Sequence, residues 1–150
     1  MSRADAGLAL AATLHCLSGC AIGEVLGMAL GAVFGWSNGA TIAVSIVLSF
    51  AFGYGLTIRS LVAGGMPLPA AARIALASDS LSIAVMELVD NLFMVIVPGA
   101  MDAGIDQLLF WAALIGSLAL AGIVAFPVNA WLIRRGRGHA LVHQGHAGHH

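Results

Sequence analysis

The chain has 150 residues, of which 60% are hydrophobic and 9% charged, with a formal net charge of -1 and a mean hydropathy of +0.98. Soluble domains run at roughly 45–50% apolar and about 25% charged. These values therefore exclude a water-soluble globule, a disordered chain and a nucleic-acid binder, and leave an integral membrane protein.

A membrane span needs about 20 mostly apolar residues, and the sequence offers four such runs. The first covers about residues 7–34 and stops at Gly35-Trp36-Ser37-Asn38-Gly39. Leu17-Ser18-Gly19-Cys20 has the form of a bacterial lipobox, which would make residues 1–19 a cleaved signal. However, Met1–Asp5 has no net positive charge, and the chain stays apolar after Cys20. An uncleaved first helix is the better expectation. Gly19, Gly23, Gly27, Gly31 and Gly35 recur every fourth residue along it. Such a ridge lets another helix approach backbone to backbone, and the third helix is the expected partner. Beside it run Cys16, Cys20 and Glu24, also four apart, with His15 about 100° around the helix from Cys16.

The second run, about 40–62, carries Ser45, Ser49, Tyr54 and Thr57 among its polar groups, which read as packing contacts. It ends at Gly64-Gly65-Met66-Pro67-Leu68-Pro69. The third, about 70–97, ends at Pro98-Gly99 and holds Asp79, Glu87 and Asp90 in an otherwise apolar stretch. Met86 and Asp90 return to within about 20° of Asp79's direction, with Glu87 on the flank. Ser80, Ser82 and Asn91 add hydroxyls and an amide, and Met94 continues the ridge. The fourth, about 107–133, contains Pro127, which frees the Ile123 carbonyl, and Asn129, which is placed to reach that backbone or the Asp79 site. The runs are too long, and lack the period-two alternation, for barrel strands. The expected architecture is all-α, a bundle of four transmembrane helices over residues 1–138, followed by a His-rich tail over 139–150.

All six basic side chains are arginines: Arg3, Arg59, Arg73, Arg134, Arg135 and Arg137. Four spans put every one of them on the same side, which places both termini in the cytoplasm by the positive-inside rule. A bacterial inner membrane is the expected location. Trp36, Phe110 and Trp111 fall near the outer interface and Trp131 near the inner, as an aromatic belt would.

Carboxylates inside a membrane are expensive and mark functional sites by default. Glu24, Asp79, Glu87 and Asp90 cannot face lipid as anions; they must face the bundle, meet a cation or carry a proton. His15 is the only clear in-span base, so something positive is missing from the sequence. The lead expectation is an intramembrane site that binds, and in its fuller form transports, a copper- or zinc-like transition-metal cation. His15, Cys16, Cys20, Glu24, Met86, Glu87 and Asp90 would be its ligands. Asp79, Glu87, Asp90 and Asn129 would relay protons or balance charge. The tail histidines, His139 and His143 foremost, would collect or release metal on the cytoplasmic side. The bland alternative makes the cysteines apolar fillers and the acids polar glue. Its functional form is a non-catalytic accessory subunit, assembled with itself or with a partner membrane protein. A thiol redox protein using Cys16 and Cys20 is weaker. No P-loop, dinucleotide fingerprint, HExxH or GxSxG occurs, and no catalytic residue is assigned.

LHCLSGCAIGEVLGMALG from Leu14, then ASDSLSIAVMELVDN, FMVIVPGAMDAG, FW and PVNAWLIRRGRGHALVH, resemble the bacterial membrane family known as domain of unknown function 4396. The resemblance covers nearly the whole chain and implies a four-helix membrane domain with no attached activity. It also implies that the family's characteristic positions fall here on His15, Cys16, Cys20, Gly23, Glu24, Asp79, Met86, Glu87, Asp90, Asn91, Pro127, Asn129, His139 and His143.

Overall fold

The computed structural model describes residues 1–135. They form four helices: α1 Arg3–Phe34, α2 Asn38–Ala63, α3 Leu68–Ile96 and α4 Leu108–Arg134. Among the described residues there is no strand. The expected His139 and His143 lie outside the described residues.

Helix α1 begins four residues earlier than hydropathy places the span, because Ser2 and Asp5 close a capping box. The Asp5 amide donates to Ser2 Oγ at 3.1 Å, and the Ser2 amide donates to Asp5 Oδ2 at 3.2 Å. The Ser2 bonds hold the exposed Asp5 carboxyl below the usual carboxylate range. Gly35 does not continue the glycine ridge; it ends α1 in the left-handed conformation at φ 64°. Ser37 caps α2, and Pro69 sits in the first turn of α3, where its missing N–H is not needed.

Helices α1, α2 and α4 are long and apolar enough to cross a membrane. Helix α3 has 29 residues but carries Arg73 and three acids. Sequence neighbours pack together as antiparallel pairs, α1 also meets α4, α2 meets α3, and α1 and α3 touch across the bundle.

The glycine ridge packs on α2 and not, as expected, on α3. A Cβ on Gly19 would lie 2.7 Å from the Gly53 Cα; one on Gly23 would run into the Ser49 backbone, on Gly27 into Ser45, and on Gly31 into Thr41. The physical reason is that α2 has its own stripe of small residues every fourth position: Thr41, Ser45, Ser49, Gly53 and Thr57. Two small stripes let two backbones meet. The inward side chains of α3, such as Ile83, Met86 and Glu87, are too large for that approach.

Three apolar layers stack along the bundle. Leu61 and Ala71 close the arginine-bearing end. Cys16, Cys20, Ile83, Met86, Ala121 and Ala125 fill the middle. Met28, Met94, Phe110, Ala113 and Leu114 plug the opposite end. Phe110 is therefore a core residue, fully buried, and not part of an interfacial belt. One helical step away, Trp111 turns outward and its indole N–H donates to the Ile105 carbonyl at 2.8 Å. The division follows chemistry: indole has a polar edge to satisfy at an interface, and phenyl has none.

Candidate functional site

Polar side chains run up the bundle interior as a column. Its lowest pair ties α4 to α1: the Asn129 amide donates to Thr13 Oγ1 at 2.9 Å, and Thr13 donates to the Ala9 carbonyl at 2.8 Å. Asn129 thus reaches neither of its expected partners, the freed backbone or Asp79. The packing of α4 on α1 places it beside the hydroxyl of Thr13 instead.

Above this, Asp79 of α3 accepts from Ser78 Oγ at 2.6 Å. The Thr57 hydroxyl of α2 neighbours the same carboxyl. Thr57 Oγ1 in turn lies 2.8 Å from His15 Nε2. His15, Thr57 and Asp79 so form a chain from α1 through α2 to α3. Cys16 neighbours Asp79 and Ser82.

One turn higher, Cys20 and Ser49 lie beside Glu87, and the Ser49 hydroxyl donates to the Cys20 carbonyl at 3.3 Å. Asn91 donates to Glu87 Oε2 at 3.3 Å and to the Glu87 carbonyl at 2.8 Å. At the top, Glu24 of α1 and Asp90 of α3 are neighbours. The hydroxyl of Ser117, on α4, donates to Asp90 Oδ1 in a short bond. Met86, fully buried, packs between the two thiols' level and α4. From Thr13 to Glu24 the column rises about 16 Å along α1, and the Met28–Phe110 plug stops it there.

Glu24, Asp79, Glu87 and Asp90 are each at least nine-tenths buried. Among the described residues none of them pairs with an arginine, and each keeps one carboxyl oxygen without a hydrogen-bond partner: Glu24 Oε2, Asp79 Oδ2, Glu87 Oε1 and Asp90 Oδ2. Both cysteines are free thiols. Of the metal ligands expected from sequence, His15, Cys16, Cys20, Glu24, Met86, Glu87 and Asp90 lie along the column, strung out along its axis, and His139 and His143 lie outside the described residues. Among the described residues no three His, Cys, Asp or Glu side chains gather around one point that a metal ion would fill. Four carboxyls with open oxygens, linked by hydroxyls and thiols, are chemically suited to hold protons or a cation and to hand them from one level to the next.

Sequence reasoning passed over Ser117, Ser78 and Thr13, and took Ser49 and Thr57 for packing alone. The available signal for Ser117 was its place in a stripe with Ala121 and Ala125, small residues at every fourth position of α4. Such a stripe marks the side that faces the bundle, and a hydroxyl on it meets whatever the opposite helix presents.

No curated protein and no solved structure matches the chain. The model of the family described as Domain of unknown function (DUF4396) matches residues 7–138. That match takes in every level of the column, and by it the chain belongs to the DUF4396 family.

Proposed function

We propose that the protein is a four-span protein of the bacterial inner membrane, with cytoplasmic termini, that binds cations at Glu24, Glu87 and Asp90 and passes them along the column. The carrying observation is the four buried acids with open oxygens and, among the described residues, no arginine paired with them. A buried carboxylate needs a compensating positive charge, and a mobile cation supplies it. The proton is the form that the axial spacing favours, because a relay needs neighbours in sequence and not a coordination shell.

The spanning of α3 is supported by its outer face, where Leu76, Leu81, Leu88, Leu92 and Val95 are exposed while the acids point inward. The orientation is supported by the helix ends. Arg3 at the start of α1, Arg59 near the end of α2, Arg73 near the start of α3 and Arg134 at the end of α4 share one end of an antiparallel bundle. On that orientation the Leu61–Ala71 layer lies on the cytoplasmic side of the column and the Met28–Phe110 layer closes it on the outside. The test is proton flux into vesicles holding the purified protein, followed with a trapped pH dye. Glu24→Gln with Asp90→Asn is expected to cut the flux at least tenfold while the protein elutes as the wild type does. Equal flux from that variant refutes the relay.

A transition-metal cargo, copper- or zinc-like, is the second reading, and it has its own observation. Cys16 and Cys20 are free, buried and each beside an acid, with Met86 packed among them. Thiolates and a thioether suit such ions. Elemental analysis of the full chain is expected to show about one more equivalent of metal in the wild type than in Cys16→Ser with Cys20→Ser. Equal metal in the two removes this reading and leaves the proton relay standing.

A further inference from the structure

A shallow groove on the outside of the bundle lies between α3 and α4, lined by Leu81 of α3 and by Pro127, Val128 and Trp131 of α4. Its volume is about 380 Å³, and its lining is hydrocarbon and aromatic ring. Such a lining takes an alkyl chain and offers nothing to a charged head.

The charge sits at one end of the groove. Arg135 follows Trp131 by one helical turn, and its Cζ rests 4.6 Å from the centroid of the Trp131 ring. The ring that walls the groove therefore also holds the guanidinium at its mouth. Stacking occupies one face of the guanidinium and leaves its N–H edge free. Arg73 reaches the same level from α3. It precedes Leu81 by eight residues, as Arg135 follows Pro127 by eight, and each interval is about 12 Å of helix. Arg73, Ala77 and Leu81 form one exposed ridge beside that of Pro127, Trp131 and Arg135. Arg134 acts on Asp5 at the start of α1. Arg73 and Arg135 are both exposed, and among the described residues no acid pairs with either.

Two free guanidiniums above an alkyl-lined groove match a ligand that joins an anionic head to an apolar chain. A carboxylate has two oxygens, which one guanidinium satisfies. A phosphodiester offers oxygens on several sides and can bridge two. A zwitterionic headgroup would bring its own ammonium against both arginines. We propose that this groove seats an anionic phospholipid, with one acyl chain along Leu81, Pro127 and Trp131 and the phosphate between Arg73 and Arg135. Basic recesses between spans at the cytoplasmic face are the usual place for such headgroups. The inference rests on the reading of α3 and α4 as membrane spans and makes no use of the polar column.

The experiment places the full chain in phosphatidylcholine nanodiscs with a minor share of phosphatidylglycerol that carries a diazirine in one acyl chain. After irradiation, peptide mass spectrometry locates the label. The expected result is label concentrated around Leu81 and on Pro127–Trp131. Unlabelled phosphatidylglycerol should compete at least tenfold better than phosphatidylethanolamine, and inorganic phosphate should not compete. Arg73→Gln with Arg135→Gln is expected to cut groove labelling at least tenfold. Arg3→Gln with Arg59→Gln removes the same charge from the same end, away from the groove, and is expected to leave labelling unchanged. Trp131→Leu keeps the groove apolar and is expected to lower labelling several-fold, because Arg135 loses the ring that places it. All these side chains are exposed, so elution as the wild type does checks the fold. Equal competition by phosphatidylethanolamine or a fatty acid, competition by inorganic phosphate, an equal loss in the Arg3 and Arg59 variant, or protection of the groove in discs that hold two copies of the chain overturns the proposal. Label on the other helices but not in the groove refutes the lipid seat and keeps the spans. No label on any helix refutes the spans themselves.

Discussion

Gly23→Leu is expected to abolish the folded protein, leaving aggregate where the wild type elutes as a sharp peak from detergent. A Cβ at Gly23 already falls on the Ser49 backbone, whose Cα lies 2.5 Å away, and three further carbons have nowhere to go. Overpacking a core usually costs roughly 1–3 kcal/mol when side chains give way. Here the obstacle is main chain within a helix, which gives way only if α1 and α2 part along their whole seam. The expected cost is therefore at or above the top of that range. Gly31 makes a graded comparison. A Cβ there meets only the Thr41 side chain, so Gly31→Ala is expected to cost less than Gly23→Ala and to be partly rescued by Thr41→Gly. Gly55 is the control, exposed on α2 with nothing within 4 Å of a new Cβ. Gly55→Ala is expected to raise stability by about 0.5–1 kcal/mol, because alanine loses less backbone freedom in a helix. The fraction of each variant still monodisperse after a temperature ramp gives the ranking. If Gly23→Leu survives the ramp as well as Gly55→Ala, the backbone seam is not there.

The same seam shows what sequence makes legible in a membrane bundle. Apolar runs placed the helices to within a few residues, since burying an unpaired backbone in lipid leaves the helix as the one local solution. The glycine period announced a close contact but not its partner. Choosing the partner required reading α2 for small residues and not for polar ones: Ser45 and Ser49 matter to α1 chiefly through what they lack. The inward face of α3 was legible because three acids cannot share a lipid face, and Asp79, Glu87 and Asp90 are all buried. Their partners were not legible. Ser117 is 27 residues from Asp90, and Thr13 is 116 from Asn129. Which hydroxyl meets which acid depends on helix rotation and axial offset, which hydropathy does not encode. Nor does spacing along one helix show whether ligands on two helices converge. Cys16, Cys20 and Glu24 climb α1 while Asp79, Glu87 and Asp90 climb α3 in parallel, so cross-helix pairs form level by level and the set spreads into a column.

Replacing the top of that column with hydrocarbon is expected to make the protein more stable and inactive. The variant is Glu24→Met with Asp90→Leu. Two neighbouring carboxyls in a buried layer hold open oxygens at Glu24 Oε2 and Asp90 Oδ2, and each open buried acceptor costs on the order of 1–3 kcal/mol. Well-packed apolar replacements of buried charged groups are often neutral or stabilising by about 1–4 kcal/mol. The neighbouring layer of Met28, Met94 and Leu114 supplies matching hydrocarbon just above. Against this stands only the Ser117 bond to Asp90, and interhelical hydrogen bonds in membranes average roughly 0.6 kcal/mol. The balance favours the variant by about 1–3 kcal/mol, read as a higher unfolding midpoint in detergent, with proton flux lost. The opposite result carries equal information. If the acids are assembly glue, removing both loosens the bundle, lowers the midpoint and releases Ser117 without any transport activity to lose. Retaining costly carboxyls where leucine would pack better makes physical sense only if the charge they attract is the point of the site, because polar groups kept at a stability cost are the usual mark of function.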